Sequence, residues 1–192
     1  MRLLRDVLHM SLAARLERRP DHREAAVAVL VRPREQLEIL LIKRAEREMD
    51  PWSGHIALPG GRRNARDVDL VDTAARETQE EVGVVLSRNG QLLGGLDEVA
   101  PSTPRLPHIV ISPFVFAVPD RTEVTPDPQE VDATLWAPLA ALRDEGAVTE
   151  TLVELHEGRR SFPSLRFGEH VIWGLTHRIV TQFLRIAEDA GL

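Results

Sequence analysis

The chain has 192 residues, with 24 Lys and Arg against 30 Asp and Glu, 43% hydrophobic residues, 4% aromatic residues and no cysteine or tyrosine. This length favours one domain with a real core, while the formal net charge of -6 and the scarcity of aromatics argue against general nucleic-acid binding. Without cysteine there are no disulfides, thiolate nucleophiles or thiolate metal ligands, which fits an intracellular protein, cytoplasmic in expectation.

The first segment, "MRLLRDVLHMSLAARLERRP", repeats Leu3, Leu4, Val7, Leu8, Leu12 and Leu16 at helical spacing, which predicts an amphipathic helix over about residues 1–18. Arginines interrupt it, so it reads as a helix packed on the domain and not as a secretion signal. No apolar run in the chain approaches the length of a membrane span. "EAAVAVLV" (24–31) and "QLEILLIKR" (36–44) read as strands around an "RPRE" turn, because β-branched and apolar residues dominate both. "DPWSGHIALPGG" (50–61), with its prolines and glycines, reads as a loop. A helix is predicted over about Leu70 to Val82, with Asp67 or Asp69 as cap and Gly83 at the C′ place that favours glycine.

Further strands are predicted at "QLLGGLDEV" (91–99), "HIVISPFVFAV" (108–118) and "ATLWAPL" (133–139). "TETLVEL" and "RRSFPSLRF", joined by "HEG", predict a hairpin. A terminal helix is expected over about 171–190, with an apolar stripe of Leu175, Ile179, Phe183 and Ile186. There is no internal repeat or linker, so the pattern is one α+β domain over 1–192.

The stretch "ARETQEEVGV" (75–84) carries the chemistry. At about 100° per residue, Leu70, Val71, Ala74, Ala75, Thr78 and Val82 share one arc, and Glu77, Glu80 and Glu81 share its neighbour. Arg76 stands four residues before Glu80, a spacing that permits a salt bridge. The ordinary alternative is a solvated acidic face, in which an exposed pair stabilises by only about 0.3–0.5 kcal/mol. Two features oppose it. Like charges about 4 Å apart repel by roughly 4 kcal/mol at an effective dielectric of 20, and these glutamates lie in the last turns, against the helix dipole. A divalent cation resolves both, and oxygen-only ligands point to Mg²⁺ or Mn²⁺. The "LPGG" turn (58–61) lets backbone approach such a site closely.

"GG…RETQEEVGV" resembles the Nudix box: glycine, five residues, glutamate, seven residues, then Arg-Glu-aliphatic-x-Glu-Glu-x-Gly-aliphatic. Arg76, Glu77, Glu80, Glu81, Gly83 and Val84 match it, while Thr78 replaces an aliphatic residue. The spacing from Gly61 to Arg76 is one residue longer, and the early glutamate position falls on Val68, between Asp67 and Asp69. The longer spacing is similar to the coenzyme A diphosphatase branch, as are "LLIKRA" (40–45), Gly54 with "LPGG", and "IWGLT" (172–176). Ile42 and Leu58 differ from the threonine and phenylalanine of that branch.

The resemblance implies a Nudix-type α/β/α sandwich with a mixed central sheet, its loop and helix covering 60–84. It implies metal ligation by Glu77, Glu80, Glu81 and the Gly61 carbonyl, with Glu77 alternatively orienting and deprotonating water and Arg76 orienting a glutamate. Glu130 is expected to add a later ligand, with Glu123 as its local competitor. Arg44, Arg62 and Arg63 are the expected phosphate contacts, Arg44 foremost; Trp52 and Trp173 are read mainly as packing residues, and His55 as a surface or partly buried group, the one histidine near the site. The implied activity is Mg²⁺- or Mn²⁺-dependent hydrolysis of a diphosphate linkage, with coenzyme A or acyl-CoA first among substrates. ADP-ribose, dinucleotides or nucleoside triphosphates are the alternatives, as is a catalytically silent nucleotide sensor. The expected partner is a small nucleotide diphosphate, with no nucleic acid or membrane, and the chain a monomer or homodimer.

Overall fold

The computed structural model describes residues 1–10, 13–19, 21–48, 52–101, 108–155 and 158–192. In chain order the elements are α1 (Arg2–Met10), β1 (Arg23–Pro33), β2 (Leu37–Arg44), β3 (Ile56–Ala57), β4 (Gly60–Arg62), α2 (Leu70–Val82), α3 (Leu86–Asn89) and β5 (Gln91–Gly95). They continue with β6 (Ile109–Ala117), β7 (Val131–Pro138), α4 (Leu139–Arg143), β8 (Val148–Leu155), β9 (Gly158–Phe167), β10 (His170–Trp173) and α5 (Gly174–Asp189).

β1 is buried along most of its length because it is central. It pairs parallel with β6 from Arg23↔Ile109 to Val31↔Ala117, and antiparallel with β2 and with β4. β7 and β3 add to β2, and β5 adds to β6, completing a mixed sheet. Alternation along β1 sends Val29 and Val31 to one face, where they join Leu4 and Leu8 of α1 and Ile179, Val180 and Phe183 of α5. Ala26, Ala28 and Leu30 face the other side with Ala74 and Val82 of α2 and Phe114 and Phe116 of β6. Helices therefore cover both faces of a mixed sheet, the α+β sandwich expected. β8, β9 and β10 form a second, antiparallel sheet; the His156 and Glu157 of the expected "HEG" turn lie outside the described residues.

Three expectations are corrected. The helix expected over about 1–18 spans only Arg2–Met10, and residues 13–19 carry no regular structure. Their backbone bonds go elsewhere: Ala14 N–H to Asp97 Oδ1, Leu16 N–H to Glu98 Oε2, and Ala14 C=O accepts from Glu98 N–H. Glu98, 5% exposed, also takes Arg15, both Nη atoms of Arg18 and the Ser112 hydroxyl. This buried carboxylate straps the N-terminal segment down, and helical spacing could not reveal it. The "DPWSGHIALPGG" loop contains β3 and the start of β4, because Ile56–Ala57 pair with β2 and Gly60–Arg62 with β1. The terminal helix starts at Gly174 and not near 171, since Val171–Trp173 pair with β9.

Candidate active site

α2 begins and ends as its sequence dictates. The Asp69 carboxylate accepts the Asp72 N–H at 2.8 Å, and Gly83 takes the left-handed conformation at φ 72°. Its last carbonyls are met by a later loop, with Thr125 N–H donating to Val82 C=O and Asp127 N–H to Glu81 C=O, both at 3.0 Å. That docking carries Glu130 toward the helix.

β4 brings backbone against the opposite side. Gly60 has φ 153°, and a Cβ there would lie 2.4 Å from the Ala26 carbonyl oxygen. A Cβ on Gly61 would meet the Glu77 carboxyl carbon at 2.5 Å. Gly60 therefore requires glycine because of the neighbouring strand, whereas a side chain at Gly61 would displace the Glu77 carboxylate.

Glu81 is 3% exposed, and its Oε2 accepts the Gly60 N–H at 2.8 Å. Burial pushes its carboxyl up to about 8; the Gly60 N–H and Arg44 oppose the rise, while the charges of Glu77 and Glu130 add to it. Burial also raises Glu77, against the pull of Arg76, with Glu80 and Glu130 adding to the rise. Glu80 is exposed.

Arg76 binds them together. Its Nη1 donates to Glu80 at 2.7 Å, and its Nη2 to Glu77 at 2.8 Å and to Arg62 C=O at 3.0 Å. The fork also reaches both oxygens of Asp67, at 2.9 and 3.1 Å. Asp67, 6% exposed, accepts the Thr73 hydroxyl and the Asn64 N–H as well, and Arg76 holds it well below the usual carboxylate range. Chain spacing offered Asp67 as a cap candidate and as a neighbour of the early glutamate position, not as the partner of Arg76. The signal was present: Asp67 stands six residues after Gly61, so counting forward from the glycine finds an acid where counting back from Arg76 finds Val68.

The remaining expected residues divide. Glu130 is exposed, accepts Ala45 N–H on its carbonyl, and lies 3.7 Å from an Arg47 nitrogen. Its charge reaches both Glu77 and Glu81. Glu123 is exposed. Arg44, whose N–H donates to His55 C=O, stands near enough for its charge to act on Glu81. Arg62 is exposed beside the glutamates, its carbonyl held by Arg76. Arg63 is drawn away, to Glu24 at 2.9 Å and Val68 C=O at 3.3 Å. His55 and Trp173 pack edge to face at 5.1 Å, and Phe162 lies 5.6 Å from Trp173.

The donor set fits a hard dication: carboxylate and carbonyl oxygens only, with a buried carboxyl that solvent does not stabilise as an anion. Among the described residues, however, the group whose ligand atoms lie within 4.8 Å of one another is Asp21, His22 and His108, and not the glutamates. Arg76 and Gly60 hold separate members of the glutamate set in this conformation.

A NUDIX domain model matches residues 21–155. The chain belongs to the Nudix family. Members cleave pyrophosphate bonds and generally need divalent metal ions. This Nudix chain is 30% identical over 172 residues to an uncharacterised Nudix hydrolase, NudL, of Pectobacterium atrosepticum, covering 85% of this chain and 83% of that one. It is 36% identical over 152 residues to Nudix hydrolase 22, chloroplastic, of Arabidopsis thaliana, covering 75% of this chain but only 48% of the plant protein. The chain thus spans about half the length of that relative. Among solved structures, a MutT/nudix family protein from Enterococcus faecalis matches with TM-score 0.52 at 20% identity, covering 90% of this chain and 65% of that one, a likeness of fold. No helix of the described residues is long and apolar enough to cross a membrane.

Proposed function

We propose that this Nudix domain hydrolyses a diphosphate linkage in a nucleotide derivative, using Mg²⁺ or Mn²⁺, with coenzyme A or acyl-CoA as the preferred substrate. The products are 3′,5′-ADP and (acyl-)4′-phosphopantetheine. The observation that carries the reading is the meeting of Gly60 and Gly61 with Glu77 and Glu81, two burial-raised carboxyls beside an exposed Glu80 and Glu130. Glu77, Glu80, Glu81, the Gly61 carbonyl and Glu130 would hold the cation. The bound cation neutralises charge developing on the phosphates and makes water more acidic.

The chain's own residues do the positioning. Arg76, clamped by Asp67, orients Glu77 and Glu80. Glu77, whose carboxylate stands against Gly61, is suited to receive a proton from the attacking water. Arg44 and the exposed Arg62 supply the phosphate contacts, while Arg63, engaged by Glu24, is a weaker candidate. Support for coenzyme A comes from "LLIKRA", the Gly54 and "LPGG" turn, and "IWGLT". A small-molecule partner alone is proposed, for a monomer or homodimer in the cytoplasm.

The test is a panel assay with Mg²⁺ or Mn²⁺ and coenzyme A, ADP-ribose, diadenosine polyphosphates and nucleoside triphosphates. Metal-dependent release of 3′,5′-ADP from coenzyme A is expected to be fastest. Much faster cleavage of another member removes the preferred substrate, and no cleavage of any makes the domain a nucleotide sensor.

A further inference from the structure

His22 and His108 stand side by side at the starts of two parallel strands. β1 and β6 pair with Arg23 opposite Ile109, and Arg23 N–H donates to His108 C=O at 2.7 Å. The residues just before, His22 and His108, are therefore neighbours across the ladder. Their rings meet edge to face with centroids 6.0 Å apart. Asp21, one residue upstream, contacts His108 Nδ1 directly. One ligand atom from each of the three lies within 4.8 Å of the other two.

A hydrogen bond accounts for Asp21 and His108 but leaves His22 unexplained. Its Nδ1 has a contact with Arg19 N–H at 3.4 Å, too long to hold the ring against a cation. Glu24, the nearest other carboxylate along β1, is occupied by Arg18 and Arg63. We propose that Asp21, His22 and His108 form a second metal site, which takes a borderline transition cation such as Zn²⁺. Two imidazoles and one carboxylate suit that class, whereas Mg²⁺ prefers oxygen alone. Ligands about 2.0–2.1 Å from tetrahedral zinc stand roughly 3.3 Å apart, so side-chain rotations of about an ångström close the group. Three protein donors leave a position for water, and the adjoining cavity carries both signs of charge, Arg23, Arg62 and Arg63 with Glu24 and Asp67. The site is separate from the glutamates. His22 precedes Ala26, the strand partner of Gly61, by four residues, about 13 Å along β1.

Zinc chloride is titrated calorimetrically into the full chain in millimolar Mg²⁺, alongside His22→Gln, His108→Gln, Asp21→Asn and Glu81→Gln. Close to one equivalent of Zn²⁺ is expected to bind, with affinity at least about ten-fold weaker in each histidine variant and unchanged in Glu81→Gln. Melting temperatures in EDTA separate lost ligation from lost folding. Imidazole nitrogen shifts of the wild type on adding Zn²⁺ name the ligands without any variant. No binding by the wild type, binding that survives both histidine changes, or binding lost only with Glu81→Gln overturns the proposal.

Discussion

The backbone N–H of Gly60 donates to the carboxylate of Glu81 at 2.8 Å, across 21 residues of sequence. The bond ties the glycine turn to the last turns of α2. Burial and the charges of Glu77 and Glu130 outweigh that bond and the Arg44 charge, so Glu81 is costly to fold in its ionised form.

Glu81→Gln is therefore expected to stabilise the metal-free protein while reducing turnover by orders of magnitude. A carboxyl raised on folding loses stability as pH climbs from its ordinary value of 4.5 toward about 8. Glutamine removes that loss, on the order of 1–3 kcal/mol at pH 7. Thermal melts in EDTA at pH 5 and pH 8 check it: the variant's advantage grows with pH. A melting temperature that falls together with activity assigns Glu81 a structural role instead.

The two glycines are expected to fail differently. Gly60→Ala drives a Cβ into the Ala26 backbone and costs roughly 2–4 kcal/mol, read as a lower denaturation midpoint. Gly61→Ala meets only the movable end of Glu77, so stability changes less while activity falls sharply. Equal stability losses would mean that Glu77 has no room to move.

Asp67→Asn leaves the α2 glutamates in place but removes the charge that aims Arg76. The expected loss is about 10- to 100-fold in kcat with little change in KM. Steady-state kinetics decide it, and a rise in KM alone would give Arg76 a substrate contact instead.

Glu98→Gln is expected to release the N-terminal strap, since Arg15, Arg18, Leu16 and Ser112 all converge on that carboxylate. Breaking a buried ion pair costs about 3–5 kcal/mol. Although burial opposes it, hydrogen bonding from Arg18 and the other donors holds Glu98 well below the usual carboxylate range. Its stabilisation is thus complete above about 4.5 and lost as pH falls toward the folded value. Amide exchange over residues 13–19 should accelerate in the variant at pH 7, and in the wild type only in acid.

What the sequence determined by itself was local. The apolar spacing, Gly83 and a cap at Asp67 or Asp69 placed α2 near Leu70–Val82, and β-branched and apolar runs marked β1 and β2, because caps and local composition are properties of neighbours in the chain. Tertiary structure decided the rest. The exposure of Glu80 and burial of Glu81, only one residue apart, depend on β4 lying beside α2. Asp67 finds Arg76, and Glu98 finds Arg15 and Arg18, through pairings 9 and about 80 residues apart. A side chain's spacing says which face it takes, but the charge it meets there comes from whichever segment the sheet folds against it.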